Sequence, residues 1–217
     1  SFDVIHAHEW LTAQAAWRIA ERTGRPWVLH VHATELDRAG EHGNPFVEIV
    51  EREAVRRATA IVAVSRYTRD VLIRRYGADP DKVEVVHNAV DRPDQAVLSV
   101  AERADRRPVV LFLGRVTFQK GPDYFVDAAT QVLARRPDVL FVVAGEGDMR
   151  PRLMQQVAQR GLGRSILFTG FVKPQDAQRL FAAADLYVMP SVSEPFGITA
   201  LEALAQGTPV ILAKGSG

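Results

Sequence analysis

The chain has no cysteine. Disulfides, thiolate metal ligands and a cysteine nucleophile are thereby excluded, and the absence suits a cytoplasmic setting. No apolar run approaches the roughly 20 residues that span a bilayer, and no signal peptide is visible, so no integral membrane segment is expected. Neither sign of charge is in excess. The formal net charge is +1, which gives no long-range pull on nucleic acid, and no interleaving of basic and aromatic residues offers a stacking platform for bases. Two catalytic signatures are missing as well: the Gly-x4-Gly-Lys-Ser/Thr phosphate loop and the Gly-x-Ser-x-Gly nucleophile elbow.

What the 217 residues do contain is an alternation of short apolar runs and amphipathic stretches. Runs such as Trp27–Val31, Val109–Leu113, Val139–Ala144 and Leu186–Met189 are apolar on both faces, as in strands of a parallel sheet covered by helices. Between them lie helical patterns with recognisable ends. Pro45 opens a helix to Ala58, Ser65 caps one that stops at Gly77, and Gly24 ends one over Thr12–Thr23. Residues 32–44 read as a polar loop. Residues 93–107 are polar and charged and read as a linker. The predicted organisation is a Rossmann-like N-terminal domain over 1–92, that linker, and a second Rossmann-like domain over 108–217. The fold class expected is α/β, two doubly wound parallel-sheet domains facing a cleft. Both are incomplete, because the chain opens on a strand and stops just after one, which suggests a piece of a longer protein.

The polar residues with chemical potential sit at strand ends, where open parallel sheets bind ligands. Ser191–Gly207, SVSEPFGITALEALAQG, carries the strand Leu186–Met189 through a polar loop into a helix. Phe196 lies between Pro195 and Gly197, so the backbone can pass close to a ligand, and the amides of Phe196, Gly197, Ile198 and Thr199 fall at a helix N-terminus that welcomes phosphate or sugar oxygens. Glu194 and Glu202 bracket that turn, and a carboxylate accepts well from paired sugar hydroxyls. GRVTFQKG, Gly114–Gly121, offers Arg115 and Lys120 beside glycine, cations suited to a diphosphate. GEGD from Gly145 fits a dinucleotide fingerprint poorly and reads more simply as a tight turn. The segment Gly170–Val172 offers backbone groups to a base edge. HAHEW places His6 and His8 on one side of a strand, and His30 and His32 repeat the spacing. Histidines two apart suit zinc, but no third ligand of clear spacing presents itself, so no metal is expected.

Taken together, HAHEW, VSRYT, HNAVD, GRVTFQKG, GEGD and SEPFGITALEALAQGTPV resemble glycosyltransferase family 4, the retaining GT-B enzymes, and HAHEW is most similar to the glycogen-synthase-like branch. That branch usually has Asp where this chain has Glu9, and HNAVD has Ala89 where the family commonly has Gly. The resemblance implies a metal-independent transferase without cofactor, with the acceptor side in the domain over 1–92 and nucleotide-sugar binding in the domain over 108–217. It would move a hexose from a nucleoside-diphosphate sugar to a carbohydrate or other hydroxyl acceptor. Arg115 and Lys120 would grip the diphosphate, Glu202 the ribose and Glu194 the donor sugar, with His8 reaching that sugar from the first domain. Gly114, Gly145, Val172, Gly197, Ile198, Thr199 and Phe196 would complete the donor site, and His32, Thr34 and Arg38 would line the acceptor side. A non-catalytic nucleotide- or glycan-binding module and a sugar-nucleotide epimerase of the same architecture are the alternatives.

Overall fold

The computed structural model describes residues 2–91 and 107–214. All but the last residue of the expected linker lies outside them. The residues form two compact units. The first runs to Asn88 and also holds Ser193–Phe196, and the second comprises Ala89–Val192 and Gly197–Lys214. Each is built on one parallel sheet.

In the first unit the strands β1 (Ile5–His8), β2 (Trp27–Val31), β3 (Ala60–Ala63) and β4 (Val83–Val85) lie in chain order. Sequential parallel strands need crossovers, supplied here by α1 (Glu9–Thr23), α3 (Pro45–Arg57) and α4 (Arg66–Tyr76). Buried alternate residues of the strands, Ala7, Trp27, Leu29, Val31, Ile61 and Ala63, join Ala13, Ala16, Ala54, Val55, Leu72 and Tyr76 of these helices in one core. The other strand face, with His6, His8, Val28 and His30, stays partly or fully exposed. The strands are therefore two-faced, not apolar on both sides. Caps fall where the sequence puts them: Asn44 Oδ1 accepts from the Phe46 amide ahead of Pro45, and Ser65 Oγ accepts from the Thr68 amide.

The polar loop expected over 32–44 contains a short helix instead, α2 (Glu35–Ala39), followed by a single 3-10 turn. A capping box starts α2: Thr34 and Asp37 exchange side-chain and backbone bonds.

The second unit has β5 (Val109–Leu113), β6 (Leu140–Ala144), β7 (Ile166–Gly170), β8 (Leu186–Met189) and β9 (Val210–Leu212), in the spatial order β7-β6-β5-β8-β9. The order reverses between β5 and β8, so this sheet is doubly wound, and helices cover both faces. Phe112 and Val143 pack with Phe125, Val126 and Ala129 of α5 (Pro122–Leu133) and Leu153 and Val157 of α6 (Arg150–Gln159). Leu111 and Val142 pack on the opposite face with Phe181 of α7 (Pro174–Ala183) and Ala200 and Ala203 of α8 (Ile198–Ala205). Each large side chain buried in this way contributes about 1.5–3 kcal/mol. Here the runs VVLFL and LFVVA are apolar on both faces because both faces are covered. A reversal of strand order leaves a crevice at the carboxyl ends.

Candidate donor site and histidine cluster

The crevice of the second unit is made by loops that the backbone locks together. The Val192 amide donates to Gln119 O at 2.9 Å, joining the loop after β8 to the loop after β5. Gly121 holds a left-handed φ of 60°, and a Cβ there would lie 2.4 Å from Pro190 O. Tyr187, buried in β8, donates from its hydroxyl to Leu113 O at 3.1 Å and toward Thr199 Oγ1 at 2.8 Å. One tyrosine thus ties the end of β5 to the first turn of α8. Gly197 caps α8 at φ 86° with no side-chain bond. The amides of its opening turn have no carbonyl ahead of them in the helix, and the helix dipole adds positive potential there.

Beside this junction lies a groove of about 260 Å³ lined by Leu113, Gly114, Arg115, Ala144, Gly145, Glu146, Phe171 and Val172. Four residues singled out from sequence, Gly114, Arg115, Gly145 and Val172, meet in it. Arg115 is exposed, and its Nη2 donates to the buried Gln119 Oε1 at 3.0 Å, which aims the guanidinium without neutralising it. Lys120 ends the same loop. Phe171 is 75% exposed, a large apolar ring left open at the groove.

The glycine of GEGD has a different task from the one sequence suggests. Gly145 has φ 135°, and a Cβ there would lie 1.9 Å from Gly114 O. Its bare backbone lets the ends of β5 and β6 touch. Gly145 is required by chain packing before any ligand is considered.

Glu202 is half-buried on α8, and burial raises its carboxyl pKa above the usual carboxylate value. Glu194 is 6% exposed and, with Phe196, belongs to the first unit, whereas Gly197, Ile198, Thr199 and Glu202 belong to the second. The Thr199 hydroxyl is already engaged by Tyr187.

In the first unit His8 ends β1, and Glu9 begins α1 at φ 63°, the one non-glycine residue with positive φ among those described. Such a conformation persists only when surroundings hold it. They do: Glu9 Oε1 accepts from the amides of His32 at 2.6 Å and Ala33 at 2.9 Å, and Glu9 Oε2 pairs with Arg38. Arg38 also faces Glu51 at 3.4 Å. Glu51 accepts from Tyr76 Oη at 2.7 Å and from the Glu35 amide, and burial raises its pKa. Thr34, 1% exposed, donates its hydroxyl to Asp37 Oδ2 at 2.8 Å. Thr34 and Arg38, expected to line an acceptor site, are thus committed to holding the β2–α2 turn.

Three histidines of β1 and β2, His6, His8 and His30, gather on the uncovered strand face with His32, just beyond β2. The parallel register sets His8 beside His30, and neighbouring rings stack at centroid distances from 4.3 Å (His30–His32) to 5.4 Å (His6–His30). His8 Nδ1 and His32 Nε2 are 2.9 Å apart. His6, His8 and His30 each bring a ring nitrogen within 4.8 Å of the others. The third imidazole, not visible from spacing along the chain, comes from the neighbouring strand.

Residues 96–217 match the sequence family described as Glycosyl transferases group 1, and residues 1–94 match Glycosyltransferase Family 4. The chain belongs to the group 1 glycosyltransferases. It is 37% identical, over its whole length, to D-inositol 3-phosphate glycosyltransferase 2 of Catenulispora acidiphila, covering 56% of that protein. It is 32% identical to an uncharacterized glycosyltransferase, MJ1607, of Methanocaldococcus jannaschii, covering 58% of it. The chain therefore spans a little over half the length of these curated relatives. Among solved structures it is similar to Anabaena Alr3699/HepE in complex with UDP and glucose, at TM-score 0.83 and 26% identity, covering all of this chain and 60% of that one. Sucrose-phosphate synthase of Thermosynechococcus elongatus shares the fold at TM-score 0.85 and 24% identity. Two parallel-sheet α/β domains of the GT-B kind are thus the architecture of this glycosyltransferase-family chain.

Proposed function

We propose that this chain carries the donor site of a retaining, metal-independent glycosyltransferase that moves a hexose from a nucleoside-diphosphate sugar to a hydroxyl acceptor. The observation that carries the reading is the groove over the ends of β5, β6 and β7, with Arg115 at its edge and its floor at Leu113 tied through Tyr187 to the opening of α8. Complexes of the Anabaena protein with UDP and with UDP-glucose support a uridine nucleotide as the first donor to try.

In this reading the base lies in the groove against Phe171 and the backbone of Gly145–Val172. Arg115 and Lys120 hold the diphosphate with the first-turn amides of α8. Glu202, ionised, accepts from the ribose hydroxyls. Glu194 and His8 hold the donor sugar, with the Phe196–Ile198 backbone. As the sugar C1–O bond breaks, its electron pair stays on the β-phosphate oxygen, and positive charge grows on C1. Fixed cations and amides aimed at that phosphate gain most in the transition state, so the chemistry needs no metal at the diphosphate. The acceptor oxygen bonds to C1 from the face the phosphate leaves, and its proton passes to the leaving phosphate oxygen. The similarity to a D-inositol 3-phosphate glycosyltransferase makes a phosphorylated cyclic polyol an acceptor worth including.

The test is product analysis. The protein is incubated with nucleoside-diphosphate sugars and hydroxyl acceptors in the presence of a chelator. The anomeric coupling constant of any glycoside is then read by proton NMR. A new glycoside with the donor's configuration is expected. A free, epimerised sugar, or a glycoside of opposite configuration, overturns the reading.

A further inference from the structure

The histidine cluster of the first unit is not absorbed by the function above, which uses only His8. His30 is its most unusual member. Both ring nitrogens are buried without a hydrogen-bond partner. Buried polar atoms in native proteins are nearly always paired, so an orphaned imidazole needs a reason. Three more imidazoles stack around it, and none of the four brings a carboxylate or carbonyl to its ring nitrogens among the hydrogen bonds of the described residues.

We propose that His6, His8 and His30 form a binding site for a divalent transition ion of the zinc class. The chemistry fits in three respects. Three neutral imidazoles with an open fourth position are a common donor set for zinc. Tetrahedral coordination at about 2.1 Å places ligand nitrogens about 3.4 Å apart, so the 4.8 Å spread closes by modest rotation of the exposed His6 and His8 rings. The contact between His8 Nδ1 and His32 Nε2 provides the outer partner that fixes a ligating ring: with Nδ1–H donating to His32, the Nε2 lone pair of His8 is left for the ion.

The strands hold the ligands in place, since His6 and His8 lie on β1 and His30 is paired to His8 across the sheet. The three ligands all belong to the first unit, whereas Arg115 and Lys120 belong to the second. An ion loaded at the histidines engages His8. On the function proposed above, and only on it, loading withdraws that imidazole from the donor sugar.

The experiment uses untagged protein stripped with a chelator and titrated with cobalt(II), read by visible absorption, and with zinc(II), read by calorimetry. One ion per chain is expected, with the intense visible bands of four-coordinate cobalt. His6→Asn and His30→Asn should each weaken binding by about tenfold or more, while His42→Asn and His87→Asn, outside the cluster, leave it unchanged. Circular dichroism and the fluorescence of Trp10, Trp17 and Trp27, all in the first unit, check that the variants fold. Absence of stoichiometric binding overturns the proposal. So does full binding by a folded His30→Asn protein, or loss of binding in the His42 or His87 variant.

Discussion

Glu9 offers a test in which two ordinary expectations point in opposite directions. Its carboxylate accepts the amides of His32 and Ala33 and pairs with Arg38, and its backbone sits at φ 63°. In Glu9→Ala both partly buried amides lose their acceptor, and Arg38 loses its nearest anion. Each orphaned amide costs about 1 kcal/mol at the low end of the usual range, and the half-buried ion pair adds about 1 kcal/mol, for a total of about 3 kcal/mol. The direct junction of β1 with α1 keeps residue 9 left-handed in the variants, so alanine retains a strain that costs an L-residue about 1–2 kcal/mol and glycine almost nothing. Glycine at a helical position is otherwise worse than alanine by about 0.5–1 kcal/mol. Glu9→Gly should therefore be no less stable than Glu9→Ala, and more stable by up to about 1.5 kcal/mol, the reverse of the usual helix order. The three tryptophans, Trp10, Trp17 and Trp27, all lie in the first unit, so urea unfolding followed by tryptophan fluorescence reports on that unit. A Glu9→Ala protein as stable as wild type would refute the buttress. A glycine variant clearly less stable than the alanine variant would refute the strain.

Two other outcomes follow from the second unit. Gly145→Ala drives a Cβ to 1.9 Å from the carbonyl oxygen of Gly114, a residue whose amide donates to Ala144 O, so the ends of β5 and β6 must separate; a loss of more than about 3 kcal/mol is expected in thermal or urea unfolding followed by circular dichroism, together with loss of UDP binding. Glu202 has a raised pKa, so its proton is retained to higher pH than in a free carboxylic acid. Ribose hydroxyls need the ionised form as acceptor. UDP affinity should therefore rise as pH increases through that elevated pKa, and Glu202→Gln should flatten this rise; calorimetry between pH 4.5 and 7.5 checks both.

The sequence patterns that proved most legible are local ones. The ends of α3 at Asn44–Pro45 and of α4 at Ser65 and Gly77 are set by side chains within a few residues of the backbone they satisfy. The strand runs of β5 and β6 are read correctly because burial on both faces leaves no polar residue to confuse them. The short helix α2 was hidden by its polar composition, although its Thr34-x-x-Asp37 spacing is a capping signal. Three features depend on distant residues and could not be seen along the chain. Tyr187 reads as one more apolar strand residue until its hydroxyl finds Leu113 and Thr199. The positive φ of Glu9 is set by bonds to residues 23 to 29 positions away. His30 becomes the third member of a histidine triad only through the register of β1 against β2. Thr34 and Arg38 show the converse: polar residues in a stretch that looks like a binding loop are occupied in holding its shape.

The central claim is that Arg115 and Lys120, beside the groove and the start of α8, hold a nucleoside diphosphate without a metal. Calorimetric titration with UDP in a chelating buffer tests it most directly. Charge-assisted bonds to phosphate are worth about 1.5–3 kcal/mol each, so Arg115→Ala and Lys120→Ala should each weaken UDP binding by about 10- to 150-fold, with uridine itself little affected. Equal UDP affinity in wild type and in both folded variants, or binding that requires an added divalent ion, contradicts it.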